Sequence, residues 1–313
     1  MIKKFALRLL GSLVLLIVVP TVTFFIQAFV PVNIGRSVLG VTATDETVAA
    51  FNAKLGLDQP LIVQYWNWLT GALHGDLGLS YGNLQPVQEI LATRLPVSLS
   101  LIVGALIVFT VVGIVLGILS ATGGKIVGTV VDAVSTIGLA VPNFWLAVIL
   151  VAVFALQFPL LPATGYVDPA FDTGLWLSSL VLPVVALAFA GITAVAKQTR
   201  DQMLLAIASP YARTLRANGA SEASLIYKHA LRNASAPVVT VIGILFVGAL
   251  SGTVVVENIF VLPGLGSQAL QSTLGHDLPV IQGIAVYFTI IVVVVNVLID
   301  IATTILNPKV RRA

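Results

Sequence analysis

Six apolar runs of at least 22 residues, uncharged except for Asp300, recur along the chain at 9–30, 95–121, 133–161, 174–196, 234–256 and 279–306. A helix rises about 1.5 Å per residue, so even the shortest run covers roughly 33 Å and can cross the hydrocarbon core of a bilayer. β-Branched residues crowd these runs, as in Val292-Val293-Val294-Val295. In water such a stretch suits a buried strand. Lipid, however, offers backbone N–H and C=O groups no partner, and a helix satisfies them within one segment. The pattern predicts an all-α membrane protein with six transmembrane helices. No long-period repeat or low-complexity linker interrupts it, so residues 1–313 read as a single membrane domain.

Several details refine these spans. The first run follows Lys3, Lys4 and Arg8 as a signal peptide would. It is longer than the 7–15 apolar residues of a signal core, and no A-x-A site follows, so it reads as an anchor. Pro142 and Pro183, with Gly138 and Gly191, predict breaks in the third and fourth helices. Gly113-x-x-x-Gly117 and Gly248-x-x-x-Gly252 predict close helix crossings.

Composition then removes whole classes. The chain is 58% hydrophobic and 9% charged, whereas soluble domains carry roughly 25% charged residues. It cannot coat a water-facing surface, which excludes a soluble enzyme, a disordered chain and a collagen-like fibre. There is no cysteine, hence no disulfide, thiolate metal site or Cys nucleophile. A net charge of +3 is too small to indicate a nucleic-acid partner. The placement of charge says more. With the N-terminus inside, segments 1–8, 122–132, 197–233 and 307–313, together with Asp300, hold thirteen Lys/Arg and four acids. Segments 31–94, 162–173 and 257–278 hold three Lys/Arg and nine acids. The positive-inside rule puts both termini in the cytoplasm.

Two connecting segments are long enough to have their own structure. In 31–94, Thr44 or Asp45 caps a helix over 46–55 that Gly56 closes, and Pro60 opens a stretch with Tyr65, Trp66 and Trp68, suited to the membrane–water interface. In 197–233, Ser209-Pro210 reads as an N-cap and first helical residue, Tyr211–Asn218 as the helix, and Gly219 as its stop. Ser221 caps a second helix through Leu225, Ile226 and His229 that ends ahead of Pro237. Tyr211, Thr214 and Leu215 share one face, flanked by Arg213 and Arg216. Such an element is either an amphipathic connector on anionic headgroups or a docking surface for a cytoplasmic partner.

No motif supplies energy or chemistry. Gly124-Lys125 lacks the preceding glycine and following Ser/Thr of a phosphate loop. No charge lies mid-membrane, and Lys197, Glu257 and Asp300 are near enough to helix ends to snorkel, which disfavours a self-powered secondary transporter. His74, His229 and His276 are far apart, no H-E-x-x-H or G-x-S-x-G occurs, and the sequon at Asn233 falls on the cytoplasmic side. Neither a metal nor another cofactor is expected.

The stretch Tyr211–Ser221, with His229-Ala-Leu-Arg-Asn233 and Pro237, resembles the EAA loop of binding-protein-dependent ABC importer permeases. More narrowly, it resembles the first permease subunit of the dipeptide/oligopeptide/nickel group. Gly56–Pro60, Gly75–Ser80, Val141–Trp145, Phe260–Gly266 and Asn307–Arg311 agree in order. Asn218 departs from the group's usual Lys and Asn307 from its usual Asp. The resemblance implies a type I importer fold in a bacterial inner membrane. It implies pairing with a second permease, two ATPase subunits beneath and an extracytoplasmic substrate-binding protein above. It also implies a coupling loop that docks the ATPases through Tyr211, Arg213, Thr214, Leu215, Arg216, Ala217, Gly219, Ala220 and His229. Dipeptides, longer peptides or a nickel chelate would be the cargo, and the membrane-scaffold and secondary-transporter readings become secondary.

The orientation is directly measurable because no native thiol interferes. In intact cells, Lys54→Cys should react with an impermeant maleimide and Arg311→Cys should not; labelling at 311 would reverse the topology.

Overall fold

The computed structural model describes residues 2–29 and 32–306, all in or between helices apart from one antiparallel bridge, Leu79 to Pro86. The helices are α1 (Ile2–Ala28), α2 (Ile34–Leu39), α3 (Asp45–Lys54), α4 (Leu61–Leu73), α5 (Val87–Thr122), α6 (Gly124–Ala140) and α7 (Asn143–Leu150). They continue with α8 (Thr173–Ala208), α9 (Pro210–Ala217), α10 (Leu231–Ile259), α11 (Leu265–Leu274) and α12 (Leu278–Leu306). Segments Val151–Gln157 and Ser224–Ala230 are π-helical. The Asn307–Arg311 motif and the C-terminal basic cluster lie outside the described residues.

Five helices are long and apolar enough to cross a membrane, or six spans if the bent pair α6–α7 counts as one. The bend is the break that Pro142 predicts in the third span. The axis turns by 98° at Val141-Pro142. Proline has no N–H to continue the ladder and drives the residue before it into extended geometry, here φ −81°, ψ 119° at Val141. Pro183 makes no such break, because α8 runs through it and through Gly191 for 36 residues.

The chain forms two compact units. In the first (residues through Ser98, with Pro263–Val293), Leu77, Val87, Leu91, Leu265, Val280 and Ile284 make one core cluster. A second cluster gathers Phe24, Tyr65, Tyr81 and Leu278. Thr44 caps α3 as read from sequence, its hydroxyl accepting the Thr47 N–H. Two of the three aromatics expected near the membrane–water interface, Tyr65 and Trp68, pack against other side chains. Tyr65 packs on Phe24 and Phe25 with centroids 5.4 and 5.6 Å away, Trp68 packs beside it, and only Trp66 of the three is exposed. Buried Asp277 ties a hairpin to this core, accepting the Ser80 hydroxyl at 2.5 Å and the Tyr81 N–H at 3.0 Å. Burial, reinforced by that carboxylate, raises the Tyr81 phenol above its ordinary pKa.

The second unit (Leu99–Leu262, with residues from Val294 on) is built around α8, fourteen of whose residues are buried. Gly113 and Gly117 of α5 lie against it as the sequence spacing predicted. A Cβ on Gly113 would come 3.0 Å from the Ile192 carbonyl, and one on Gly117 2.7 Å from that of Ala196. Gly252 likewise meets Leu187, but a Cβ on Gly248 would meet nothing within 4 Å. Glu257 is not the snorkelling residue expected. It is fully buried, and the chain after α10 folds back so that Leu262 N–H donates to the Glu257 carbonyl at 2.8 Å.

The two small-residue pairs give opposite expectations. Gly117→Val overpacks the α5–α8 crossing and should cost about 1–3 kcal/mol, lowering the Tm in detergent. Gly248→Ala adds a helix former in open space and should leave stability equal or raise it by up to ~1 kcal/mol. Equal losses at both positions would contradict this packing.

Candidate functional site

The 197–233 connection sits in the second unit at the foot of two 36-residue rods: α8, and the continuous helix Ser224–Ile259 that the π-helical segment and α10 form together. The latter corrects the expected short second helix. Ser221 does cap it, its hydroxyl accepting the Ser224 N–H at 3.3 Å, but the helix passes Pro237 without ending.

Between the rods α9 matches the sequence reading closely. Ser209 is its N-cap, with Oγ accepting the Ala212 N–H at 3.3 Å, and Pro210 opens the first turn. At the other end Gly219 has φ +80°. Its N–H donates to the Arg216 carbonyl and that of Ala220 to Leu215, both at 3.0 Å. This pair of bonds is a Schellman stop, which requires the left-handed conformation that glycine adopts without Cβ strain. Eight residues are too few for a helix to persist alone in water, so tertiary ties must hold it.

Those ties are specific. Ala212 is buried at 1% exposure. Arg216 makes a bidentate contact with Glu222, Nε to Oε1 at 2.6 Å and Nη2 to Oε2 at 3.2 Å, while Nη1 reaches the Ile207 carbonyl at the end of α8 at 3.4 Å. The mutual hydrogen bond raises the Arg216 pKa and lowers that of Glu222. The pair is solvent-facing, so its role is geometric. The Tyr211 hydroxyl lies 3.0 Å from Nδ1 of His229, ring edge to ring face, linking α9 to the second rod. Beneath, Met203, Ala230 and Ala234 form a buried cluster with Ile118, Ile207, Ile226 and Leu231.

The structure therefore gathers the sequence-predicted residues on one small platform. Tyr211, Arg213, Thr214, Arg216, Ala217 and Gly219 are exposed, and Leu215, Ala220 and His229 are half-buried. Sequence reading missed a groove of about 680 Å³ beside α9, lined by Ala206, Ser209, Tyr211, Lys228, His229, Arg232 and Asn233. Its signal was available in Lys228 and Arg232, basic residues four apart with no acid between them. Further along α8, Arg200 pairs with Asp132 of α6 at 2.8 Å.

The described residues thus form a helical membrane protein of five or six spans, with a short capped helix beside the ends of two rods. Residues 113–312 match the family of binding-protein-dependent transport system inner membrane components, and residues 1–102 match the N-terminal region of such components. The chain belongs to this family. It is 40% identical over 306 residues, 97% of each chain, to a Brucella abortus (strain 2308) protein named for a peptide transport system permease. It is 32% identical to the D,D-dipeptide transport system permease protein DdpB of Escherichia coli (strain K12), over 97% of this chain and 96% of that one. It is 33% identical to the glutathione transport system permease protein GsiC of Salmonella typhi, over 97% of each. A crystal structure of an amino acid ABC transporter with histidines shares the fold, with TM-score 0.51 and 16% identity over 69% of this chain and 94% of that one.

The cap assigns a local cost. Ser209→Ala should destabilise α9 by about 1 kcal/mol, accelerating amide exchange across 210–217 roughly fivefold. Unchanged exchange at Ala212 would mean that the Oγ contact does not hold the helix.

Proposed function

We propose that the chain works as one translocation domain of an ATP-driven importer of dipeptides and oligopeptides, with both termini cytoplasmic. A second homologous permease pairs with it, two ATP-binding subunits beneath it hydrolyse the nucleotide, and an extracytoplasmic binding protein delivers the peptide. The names of the relatives support the cargo class, and the charge distribution supports the orientation.

The observation that carries the reading is how α9 is fastened. A short helix that follows one rod directly, contacts its Ile207 carbonyl and reaches His229 on the other is in contact with the ends of both. Docking of the ATPases on the face of Tyr211, Arg213, Thr214, Leu215, Arg216 and Ala217, with Gly219, Ala220 and His229 behind it, would pass their closure to α8 and α10. The rods would then convert it into rearrangement of the spans. This chain contributes the conduit and the lever, and hydrolysis occurs elsewhere.

Gly219→Val places a β-branched residue at φ +80°, costing about 1 kcal/mol or more and misorienting the platform while the spans stay intact. The complex should assemble and bind its receptor protein, yet ATP hydrolysis and uptake of labelled dipeptide should uncouple. Tyr211→Ala with Leu215→Ala should lower the ATPase activity that co-purifies with the tagged chain. If apolar truncation left association intact and removal of Arg213 and Arg216 abolished membrane-surface binding instead, α9 would be a headgroup connector. Normal transport by both sets would defeat the assignment.

A further inference from the structure

A cavity of about 450 Å³ lies wholly within the first unit, lined by residues of the 53–81 stretch together with Phe24, Pro279 and Gln282. Sites for small molecules run from roughly 300 to 1,000 Å³, so this one is large enough to hold a ligand. Two of its wall residues carry unmet hydrogen-bonding capacity. The Trp68 indole Nε1 and the Gln282 amide Nε2 are buried with no partner among the described residues, and Gln282 as a whole is only 1% exposed. Neighbouring amides on the same wall are satisfied. Gln64 Nε2 donates to the Gln59 carbonyl at 2.7 Å and to that of Leu57 at 3.3 Å, and Asn67 Nδ2 donates to Gln59 Oε1 at 3.4 Å. A buried donor without an acceptor costs about 1–3 kcal/mol. Two of them on one cavity suit a ligand that brings an acceptor oxygen.

Charge narrows the class of ligand. Lys54 and Asp76, both exposed, line the same cavity. Among the described residues neither forms an ion pair, with the other or with a third group. Asp76 is held in place by the Gly78 N–H, which donates to its Oδ1 at 2.9 Å. Opposite charges that line one cavity without closing on each other leave room for a ligand bearing both signs. A simple anion would meet Asp76 and a simple cation Lys54, each with like-charge repulsion. A short peptide carries an ammonium, an amide carbonyl and a carboxylate within a few bonds, and so answers Asp76, the two donors and Lys54 in one molecule. A free amino acid lacks the amide carbonyl.

We propose that this cavity binds a free dipeptide directly on the permease, its amide carbonyl accepting from Trp68 Nε1 and Gln282 Nε2, its ammonium at Asp76 and its carboxylate at Lys54. The recognition chemistry stands on the cavity alone. Its place in transport rests on the orientation and cargo class proposed above: an extracytoplasmic site would hold the peptide between its release from the binding protein and its entry among the spans. The site is separate from the α9 platform and uses none of its residues.

The test is equilibrium dialysis of radiolabelled alanylalanine against the complex purified in an uncharged maltoside detergent through a tag on this chain, with the binding protein left out. Saturable binding is expected. Trp68→Phe and Gln282→Met each remove one donor and should each weaken binding roughly fivefold. Asp76→Asn and Lys54→Gln should each weaken it roughly tenfold. Acetylating the peptide should cost as much as Asp76→Asn and add little to it, because both remove the same contact; amidation stands in the same relation to Lys54→Gln. Since the Gln282 donor has no partner in the fold, Gln282→Met should melt at the wild-type temperature or above. A lowered Tm with peptide affinity unchanged would show that the amide serves the fold, and would overturn the site. Absence of saturable binding to the wild type would overturn it too, while dipeptide uptake by the complete system would leave the importer reading intact. Saturable binding without uptake would do the reverse. Equal affinity for alanine would make the cavity an amino-acid site, and displacement of the peptide by phosphatidylethanolamine would make it a headgroup site; either result overturns the proposal. So would a Trp68→Phe variant that loses association with the binding protein but keeps its affinity for alanylalanine.

Discussion

Helix α8 serves as the axis of its unit because neighbouring helices present glycine to it. Gly104, Gly113 and Gly117 of α5, Gly138 of α6 and Gly252 of α10 all lie where an added Cβ would come within 2.9 Å of an atom of α8. The exchange runs the other way once, at Gly191 of α8, which faces Phe109 of α5. In an apolar solvent, burying more apolar surface gains little, so association of the helices depends on close van der Waals contact. Missing side chains on three partners let their backbones approach a helix rich in Val, Leu and Thr. The second unit as a whole leans on that approach.

From this axis the arrangement of α9 follows. A helix of eight residues with a solvent-facing surface cannot stabilise itself, yet its position is fixed from both ends. Ser209 and the Gly219 stop satisfy its terminal backbone groups, and Arg216 and Tyr211 bind it to different rods. The rods extend beyond their apolar runs, α8 from Ala196 to Ala208 and the second rod back from Ala234 to Ser224, so α9 is carried past the apolar part of both. In the proposed function, a displacement of α9 would be passed to two long helices, as a permease driven by subunits outside the membrane requires.

The first unit solves a different problem. Its chain leaves the apolar environment, forms three short helices and a hairpin, and is fastened by side-chain hydrogen bonds more than by helix crossings. Asp277 bonds across nearly two hundred residues of sequence to Ser80 and Tyr81. Tyr65 joins α4 to α1 through aromatic contacts and a hydrogen bond of 2.6 Å with the Thr21 hydroxyl. Tyr65 thereby joins a core cluster with Phe24, packed beside Phe25.

Local chemistry determined much of this protein. Runs of 22 or more apolar residues require helices in lipid, Ser209-Pro210 and Gly219 bound α9 through their own backbone preferences, and Thr44 starts α3. All of these depend on residues within a few positions of one another, and so can be read along the chain. Tertiary structure decided what depends on distant partners. Pro142 and Pro183 have the same intrinsic effect, yet one turns the chain by 98° and the other lies buried inside a continuous 36-residue helix. Gly113 and Gly248 open identical motifs, but only the first faces another helix. Glu257 is buried although it lies near the end of its helix, and Lys228 and Arg232 line a groove only because α9 and the end of α8 stand beside them. Proximity in space, set by how helices pack, is the quantity that periodicity and capping rules do not contain.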